Sequence, residues 1–346
     1  MTTPATPERP VLVVGAGISG LACARVLADA GVPVRVLDRG RRVGGRMSGR
    51  RVETSVGTRV VDLGAAYFTA EGSGGFSEVV ADWERRELAR PWTDTFAKIS
   101  GRAAAGGGLA GSSTGPVRWG TPGGLRSLLD DLVAPPGRDP LDVVSGIDVE
   151  AVDGTLDGPV VDGRPAAAVV LAMPDPQAAD LLPRMVATRL DVSARWNWRP
   201  CIAVYAAWDQ RWWPDFHGAF VNDSDLLVFL VDDGSRRGDG APVLVAHTAP
   251  DVSSDHLDAP AAIVPEVLAE LGPLLTSAAT PAPTWARAHR WSLAEPLRPH
   301  ADAAFGWDEG SRMGVCSDAW GGRPKVQTAW ESGTAIGRDL AERFAG

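Results

Sequence analysis

Cysteine, basic charge and long apolar runs are all scarce in this chain, and each shortage removes a class of function. Its 346 residues include three cysteines, Cys23, Cys201 and Cys316, too widely spaced for a disulfide framework or a zinc site. All three read as reduced core residues. Lys and Arg number 34 against 43 Asp and Glu, a net charge of −9, whereas nucleic acid or an anionic membrane surface calls for a basic footprint. Neither partner is expected. No run reaches the roughly 18 apolar residues of a spanning helix, and the opening "MTTPATPERP" has no apolar core for a signal peptide. The expected location is the cytoplasm. His217, His247, His256, His289 and His300 show no ligand spacing with the cysteines, so no metal is expected, and no GxSxG serine elbow occurs.

What is present is the composition of a globular protein, 45% hydrophobic and 22% charged, with the length of two domains, interleaved or in series. "VLVVGAGISGLACARVLADAG", residues 11–31, opens on four apolar residues, breaks into glycines and turns amphipathic. It predicts a strand at 11–14, a helix over about 18–30, and a second strand, "VPVRVLD", ending at Asp38: a βαβ unit. "GRAAAGGGLAGSST", between Gly101 and Gly115, has side chains too small to pack and reads as a mobile loop. A helix is expected over 123–133. "LDVVSGIDVEAVDG" followed by "AAAVVLAMPDP" reads as strand, turn, strand, ending at Met173. "RPCIAVYAAWD", "GAFVNDSDLLVFLVDD" and "PVLVAHTAP" are strand-like runs that suggest a mixed or antiparallel sheet of a second domain. Helices follow in "AAIVPEVLAELGPLL", despite Pro265, and in the final "WESGTAIGRDLAERF". Thirteen tryptophans against two tyrosines read mostly as core filler.

The glycines of "GAGISG" follow a strand and open a helix. Gly15 permits the tight turn, Gly17 lets backbone reach a pyrophosphate, and Gly20 lets helix and strand pack closely. The helix start, with Ala16, Ile18 and Ser19, offers unpaired amides and a partial positive charge. Asp38 is placed for the adenosine ribose. "DRGRRVGGRM" then sets Gly44, Gly45 and Arg46 beyond that acid, between Arg39 and Met47. A second phosphate clamp there favours FAD over NAD, with Arg46 as a bidentate pyrophosphate partner.

Taken together, "GAGISG…LDRGRRVGGRM…VDLGAAYFTA" resembles the flavin-dependent amine oxidoreductase superfamily and, within it, the renalase family. "VRWGTPGGLRSLLDDL", "VVLAMPDPQAADLL", "VAHTAP", "ARAHRWSLAEP" and "GVCSDAW…QTAWESG" extend the resemblance over nearly the whole chain. It implies an α/β fold, a Rossmann-like FAD-binding domain of the amine oxidase and p-hydroxybenzoate hydroxylase type interleaved with a mixed-sheet substrate domain. The first would comprise 1–75, 120–182 and 286–346, the second 76–119 and 183–285. FAD would be non-covalent, with Cys316 on a strand. Gly64 and Ala65 would give backbone room beside the flavin, while Tyr67 and Phe68 face the substrate. Val149 would be a strand residue meeting the adenine, Asp318 would bind the ribityl chain, and Ala329 and Trp330 would open the last helix at the flavin C2 carbonyl. The chain departs from the family at Ser317 and Thr328, where the pattern has glycine and backbone approaches the cofactor.

The chain has two lysines, Lys98 and Lys325, and neither lies in a segment resembling the lysine-bearing strand beside the flavin of amine and polyamine oxidases. An amine must lose a proton before it donates hydride. A dihydropyridine need not, because hydride loss makes it an aromatic pyridinium. The resemblance accordingly implies oxidation of 2- or 6-dihydro isomers of NAD(P)H, with O2 as acceptor and hydrogen peroxide as product. Tyr67, Phe68, Trp119, His289 and Trp291 are the candidate cavity walls, acting by shape and stacking, and His247 could orient the substrate. Two rivals stay open: an amine oxidase or desaturase of a biosynthetic pathway, and a flavin-binding protein without turnover.

Overall fold

Val11–Val14, buried along its whole length, is a central strand in the computed structural model, which describes residues 5–73, 75–101, 108–192, 197–276 and 278–344. Val34–Asp38 and Ala168–Leu171 flank it in parallel. Val143–Ser145 and Met313–Val315 extend the parallel sheet outward, and Gly306–Asp308 closes one edge antiparallel. Strands covered on both faces read as unbroken apolar runs, which is why "VLVV" and "AVVL" show no alternation.

One face is covered by helices Ile18–Asp29 and Val326–Phe344. A Cβ on Gly333 would overlap the Ser19 carbonyl, and one on Gly337 would stand 2.9 Å from that of Cys23. These glycine contacts let the two helices touch backbone to backbone. Because 333 meets 19 and 337 meets 23, the helices run parallel, with both N-termini at the carboxyl edge of the strands. That edge is where open α/β sheets bind ligands. The opposite face carries a second core that includes Leu12, Leu37, Val169 and Trp198. Val149 packs there, in the connection after Val143–Ser145 and not in a strand as the sequence suggests. The strand, turn, strand reading of this region also misses a small sheet of Val152–Thr155, Gly158–Val161 and Arg164–Pro165. Its strands are too short and too rich in Gly, Asp and Pro to show a period.

A second sheet has eight strands, in the order Trp285–Pro296, Trp198–Ala207, Val243–Thr248, Leu227–Asp232, Gly218–Val221, Arg90–Ser100, Gly108–Gly120 and Phe68–Thr69. It is mixed, since Gly218–Val221 pairs parallel with Arg90–Ser100. Trp285–Pro296, within the stretch expected in the FAD-binding domain, is an edge strand here. One face of the sheet packs on helix Val264–Leu275, whose Pro265 sits in the first turn, where an amide has no partner to lose. The other face looks onto the segment from Leu63 to Tyr67.

The loop expected between Gly101 and Gly115 is overturned from Gly108 onward. Gly108–Gly120 is a strand on Arg90–Ser100, with Leu109 opposite Ile99 and Ser112 opposite Ala97. Residues 102–107 lie outside the described residues. Small side chains suffice because the partner strand supplies the buried apolar residues, Phe96 and Ile99. Among the described residues no helix is long and apolar enough to cross a membrane. Cys23, Cys201 and Cys316 are free thiols, and Cys316 stands one residue past the end of Met313–Val315.

Candidate active site

The three glycines of the first turn divide their work. Gly15 has φ +113° and donates its N–H to the Leu37 carbonyl at 2.8 Å. A Cβ on Gly15 would overlap the Ala172 carbonyl, and one on Gly20 would overlap Gly15 itself. Those two glycines serve packing. A Cβ on Gly17 would meet nothing within 4 Å. Gly17 is the N-cap of Ile18–Asp29, makes no side-chain cap, and is followed by a first turn without an acidic residue. The helix therefore presents open space, unpartnered amides and its positive end, a combination that fits a phosphate-bearing cofactor.

The second glycine pair folds over the first. Gly44 N–H bonds the Ala16 carbonyl at 3.0 Å, and a Cβ on Gly45 would stand 3.4 Å from Gly17 Cα. Asp38 accepts from the amides of Ala16 at 2.6 Å and Gly40 at 2.7 Å, so its carboxylate is held at the strand end with lone pairs to spare. Ile18 and Ser19 are buried at the helix start, Met47 is a core residue, and Arg39 is exposed.

Arg46, expected at the pyrophosphate, pairs with Asp318, expected at the ribityl chain. Its Nη1 donates to Asp318 at 2.9 Å and to the Ala294 carbonyl at 2.9 Å, and its Nη2 pairs with the other Asp318 oxygen. Two residues expected at the cofactor thus form a bidentate pair joining the glycine loop to the C-terminal loop. The departures from family pattern are absorbed locally: Ser317 Oγ accepts from Ala319 N–H at 3.1 Å, and Thr328 Oγ1 donates to the Arg323 carbonyl at 2.7 Å. Ala329 is buried in the helix-covered core, and Trp330 lies 5.5 Å from the Phe76 ring.

Between these loops runs the segment 62–71, fixed at both ends by residues the sequence reading did not single out. At one end, Asp62 Oδ1 accepts from Leu125 N–H at 3.0 Å and Oδ2 from Arg237 Nη2 at 2.9 Å. Arg236 donates to the Ala66 carbonyl at 2.7 Å and pairs with Asp233, which also takes Arg237 Nε at 2.9 Å. All four charged side chains are buried. Burial alone would raise the Asp233 carboxyl, but Arg237 and Arg236 override it and hold it below the usual carboxylate range. At the other end, the Gln327 amide accepts from Glu71 N–H and donates to Glu71 O, each at 3.0 Å. The signal in the sequence was "DDGSRR", where Asp233 meets Arg236 and Arg237 at helical spacing between two apolar strands. Its partner Asp62 is far away in the chain. Within the segment, Ala65 N–H bonds Arg46 O at 2.9 Å, and a Cβ on Gly64 would overlap that same carbonyl.

The sheet face opposite this segment carries a row set by register: His289 pairs with Ala203, Ala203 with His247, His247 with Phe229, and Phe229 with Phe220. Burial drives the His247 imidazole down to about 4, with the Arg236 charge adding to it and a bond to the Leu63 backbone opposing it. Its Nε2 is buried with no partner among the described residues. His289 is also lowered, by burial and then by Arg50 and Arg290. Both rings are thus neutral near pH 7. Trp291 donates Nε1 to the Leu63 carbonyl at 2.9 Å and meets the His289 ring edge-on at 4.5 Å. Tyr67, half-buried, stands edge-on to Phe96 at 5.2 Å.

Tyr67, His247, His289 and Trp291 are therefore brought together, but Phe68 and Trp119 are not. Phe68 is 2% exposed and stacks on Trp119 at 6.4 Å, within the core formed with Phe76 and Trp83. The segment alternates as a strand there, so neighbours 67 and 68 face opposite ways. Lys325 is ion-paired to Glu71 at 3.1 Å. Lys98 lies opposite Phe220, three strands and about 14 Å from His247.

Residues 13–83 match the model of the NAD(P)-binding Rossmann-like domain, and residues 88–312 match that of the flavin containing amine oxidoreductases. Three solved structures share the fold at low identity. A provisional protoporphyrinogen oxidase of Exiguobacterium sp. 255-15 has a TM-score of 0.69 at 14% identity, covering 97% of this chain and 99% of its own. Cyclohexylamine oxidase of Brevibacterium oxydans IH-35A has 0.68 at 15%, covering 97% and 98%. Putrescine oxidase bound to putrescine has 0.66 at 16%, covering 97% and 99%. With the family model spanning well over half of its length, this chain belongs to the flavin-containing amine oxidoreductase family and is an FAD-dependent oxidoreductase.

Proposed function

We propose that the chain is a renalase-like oxidase that takes hydride from 2- or 6-dihydro isomers of NAD(P)H. Bound FAD supplies the two-electron acceptor, which O2 reoxidises. The reaction balances as dihydro-NAD(P), O2 and one proton giving NAD(P)+ and H2O2. The glycine turn at Gly15, Gly17 and Gly20 would hold the pyrophosphate non-covalently, with Asp38 toward the ribose. Arg46 and Asp318 would sit where the ribityl chain and phosphates pass, beside the segment of Gly64 and Ala65.

The observation that carries this reading is the chemistry of the substrate-side row. Tyr67, Phe229, Trp291 and two neutral imidazoles can orient a flat ring; among the described residues the ammonium in line with them, Lys98, stands beyond Phe220, three strands from His247, and no carboxylate has been placed in the row to manage an amine's proton. A dihydropyridine needs no such group. His247 Nε2, which has no partner among the described residues, would accept a hydrogen bond from the carboxamide N–H. The runner-up is amine oxidation, favoured by the putrescine and cyclohexylamine oxidase neighbours. Anaerobic mixing separates the two. Visible absorbance should bleach with 2- or 6-dihydronicotinamide dinucleotides and not with primary amines; the reverse pattern would replace our reading with the runner-up.

A further inference from the structure

Four arginines are buried among the described residues: Arg25, Arg118, Arg236 and Arg237. A buried charge is costly unless it is paired, and three of the four have a carboxylate: Arg25 meets Asp29 at 2.9 Å, Arg237 meets Asp62 at 2.9 Å, and Arg236 meets Asp233. Arg118 does not. Only 7% exposed, it donates Nη1 to the Asp94 carbonyl at 2.6 Å and has no carboxylate partner among the described residues. Its positive charge is left unneutralised.

Strand pairing decides where that charge lies. In Gly108–Gly120, Arg118 stands opposite Thr69 and Trp119 opposite Phe68. Trp119 stacks on Phe68 in the core, so Arg118 emerges on the other side of the strand, with Tyr67. Its guanidinium lies 3.9 Å from the centroid of the Phe96 ring and 5.7 Å from that of Tyr67. Phe96 and Tyr67 both neighbour Phe229, at 5.3 Å and 6.4 Å, and Phe229 stands 6.0 Å from the His247 ring. Successive ring contacts thus join the guanidinium to the substrate-side row. Lys98, opposite Phe220, brings a second cation to the same end. The row is polarised, with neutral imidazoles at one end and unneutralised cations at the other.

We propose that Arg118 is a specificity-determining residue that sets the charge preference of the substrate side, disfavouring an ammonium and favouring a ligand that carries negative charge. The proposal rests on the reading above for where the substrate lies and deepens it: a dinucleotide sets its neutral dihydropyridine at the imidazoles and its anionic phosphates toward Arg118. A ligand charge held against Tyr67 stands about 10 Å from the guanidinium, and at an effective dielectric of about 20 one unit charge at that range changes affinity about tenfold. Direct contact is not required, because a buried charge is poorly screened.

The test titrates the FAD-loaded protein anaerobically, with the flavin spectrum as readout, using benzoate, benzamide and benzylammonium, three flat rings that differ in charge. The wild type should bind them in that order of decreasing affinity. Arg118→Met, which keeps the length and removes the charge, should weaken benzoate about tenfold, strengthen benzylammonium about as much and leave benzamide within about twofold. Arg118→Gln should repeat that result, so that a packing fault in one variant does not decide it, and Arg118→Lys should restore the wild-type order. A merely structural role would move the neutral probe together with the charged ones. The proposal is overturned if the order survives in both uncharged variants, if all three probes weaken alike, or if the wild type fails to prefer benzoate to benzylammonium. Anaerobic bleaching by 2- and 6-dihydronicotinamide dinucleotides reports separately on the reading beneath it. The charge order without that bleaching sinks only the reading; bleaching without the charge order sinks only the role of Arg118.

Discussion

Gly17 and Gly20 stand three residues apart in one turn, and replacing each by alanine should give opposite results. Gly20 sits inside the helix, so alanine would gain up to about 1 kcal/mol of propensity. Its Cβ, however, would overlap the Gly15 carbonyl and come within 2.9 Å of the Ala172 methyl. Backbone cannot rotate away as a side chain can, and overpacking of this kind costs about 1–3 kcal/mol. Gly20→Ala should therefore lower the stability of the flavin-free protein in urea. Gly17 has an extended backbone, φ −81° and ψ −179°, which any residue adopts, and its Cβ would enter open space. Gly17→Ala should leave that stability within about 0.5 kcal/mol. The methyl would instead hold a phosphate off the helix amides. Losing one charge-assisted bond at about 1.5–3 kcal/mol corresponds to a Kd for FAD at least about tenfold weaker. Flavin fluorescence on titration of the flavin-free protein measures it. If Gly17→Ala bound FAD like the wild type, or unfolded as early as Gly20→Ala, the assignment of that open space to the phosphates would be wrong.

Three further outcomes follow from buried groups. Asp62→Asn leaves Arg237 facing Asp233 alone in a buried site, and breaking such a network typically costs about 3–5 kcal/mol; urea midpoints with no such shift would show that water reaches the network. His247 titrates near 6.5 when unfolded and near 4 when folded. Between those values the unfolded chain binds the extra proton, so this group's stability is complete above pH 6.5 and falls toward pH 4, by up to about 3 kcal/mol. His247→Gln should flatten that part of the pH profile, and an unchanged slope would refute the burial argument. Burial holds the Cys201 and Cys316 thiols up at about 12 and raises Cys23 as well. A thiol reagent at pH 8 should label buried Cys23 and Cys316 slowly in the folded protein, with half-buried Cys201 the first to react, and rapid labelling of Cys23 or Cys316 would contradict their burial. The same protonated state disfavours Cys316 as an attachment point for flavin.

The βαβ unit was legible because its signals are local. Four apolar residues, a glycine turn, an amphipathic run and Asp38 all fall within 28 residues, and each reports on its own backbone. Gly20 is a case in point: steric overlap at one turn dictates its identity whatever the rest of the chain does. Local composition misled where neighbours supply what a segment lacks, as in the Gly- and Ser-rich strand Gly108–Gly120, whose ladder and buried face come from Arg90–Ser100. Phe68 and Tyr67 show the next limit. Adjacent aromatics in one motif look equivalent in sequence, but a strand sends them to opposite sides, and only the surrounding core says which side is which.

What the chain alone determined is the glycine turn, the apolar strands and the scarcity of lysine, properties carried by single residues and their nearest neighbours. Tertiary structure alone decided that Arg46 meets Asp318 across 272 positions, that Asp62 is neutralised by a helix at Arg237, and that His247 and His289 flank the same alanine. Those pairings depend on strand order and register. Order and register are set by packing free energy summed over a whole sheet, and no short stretch of sequence contains that sum.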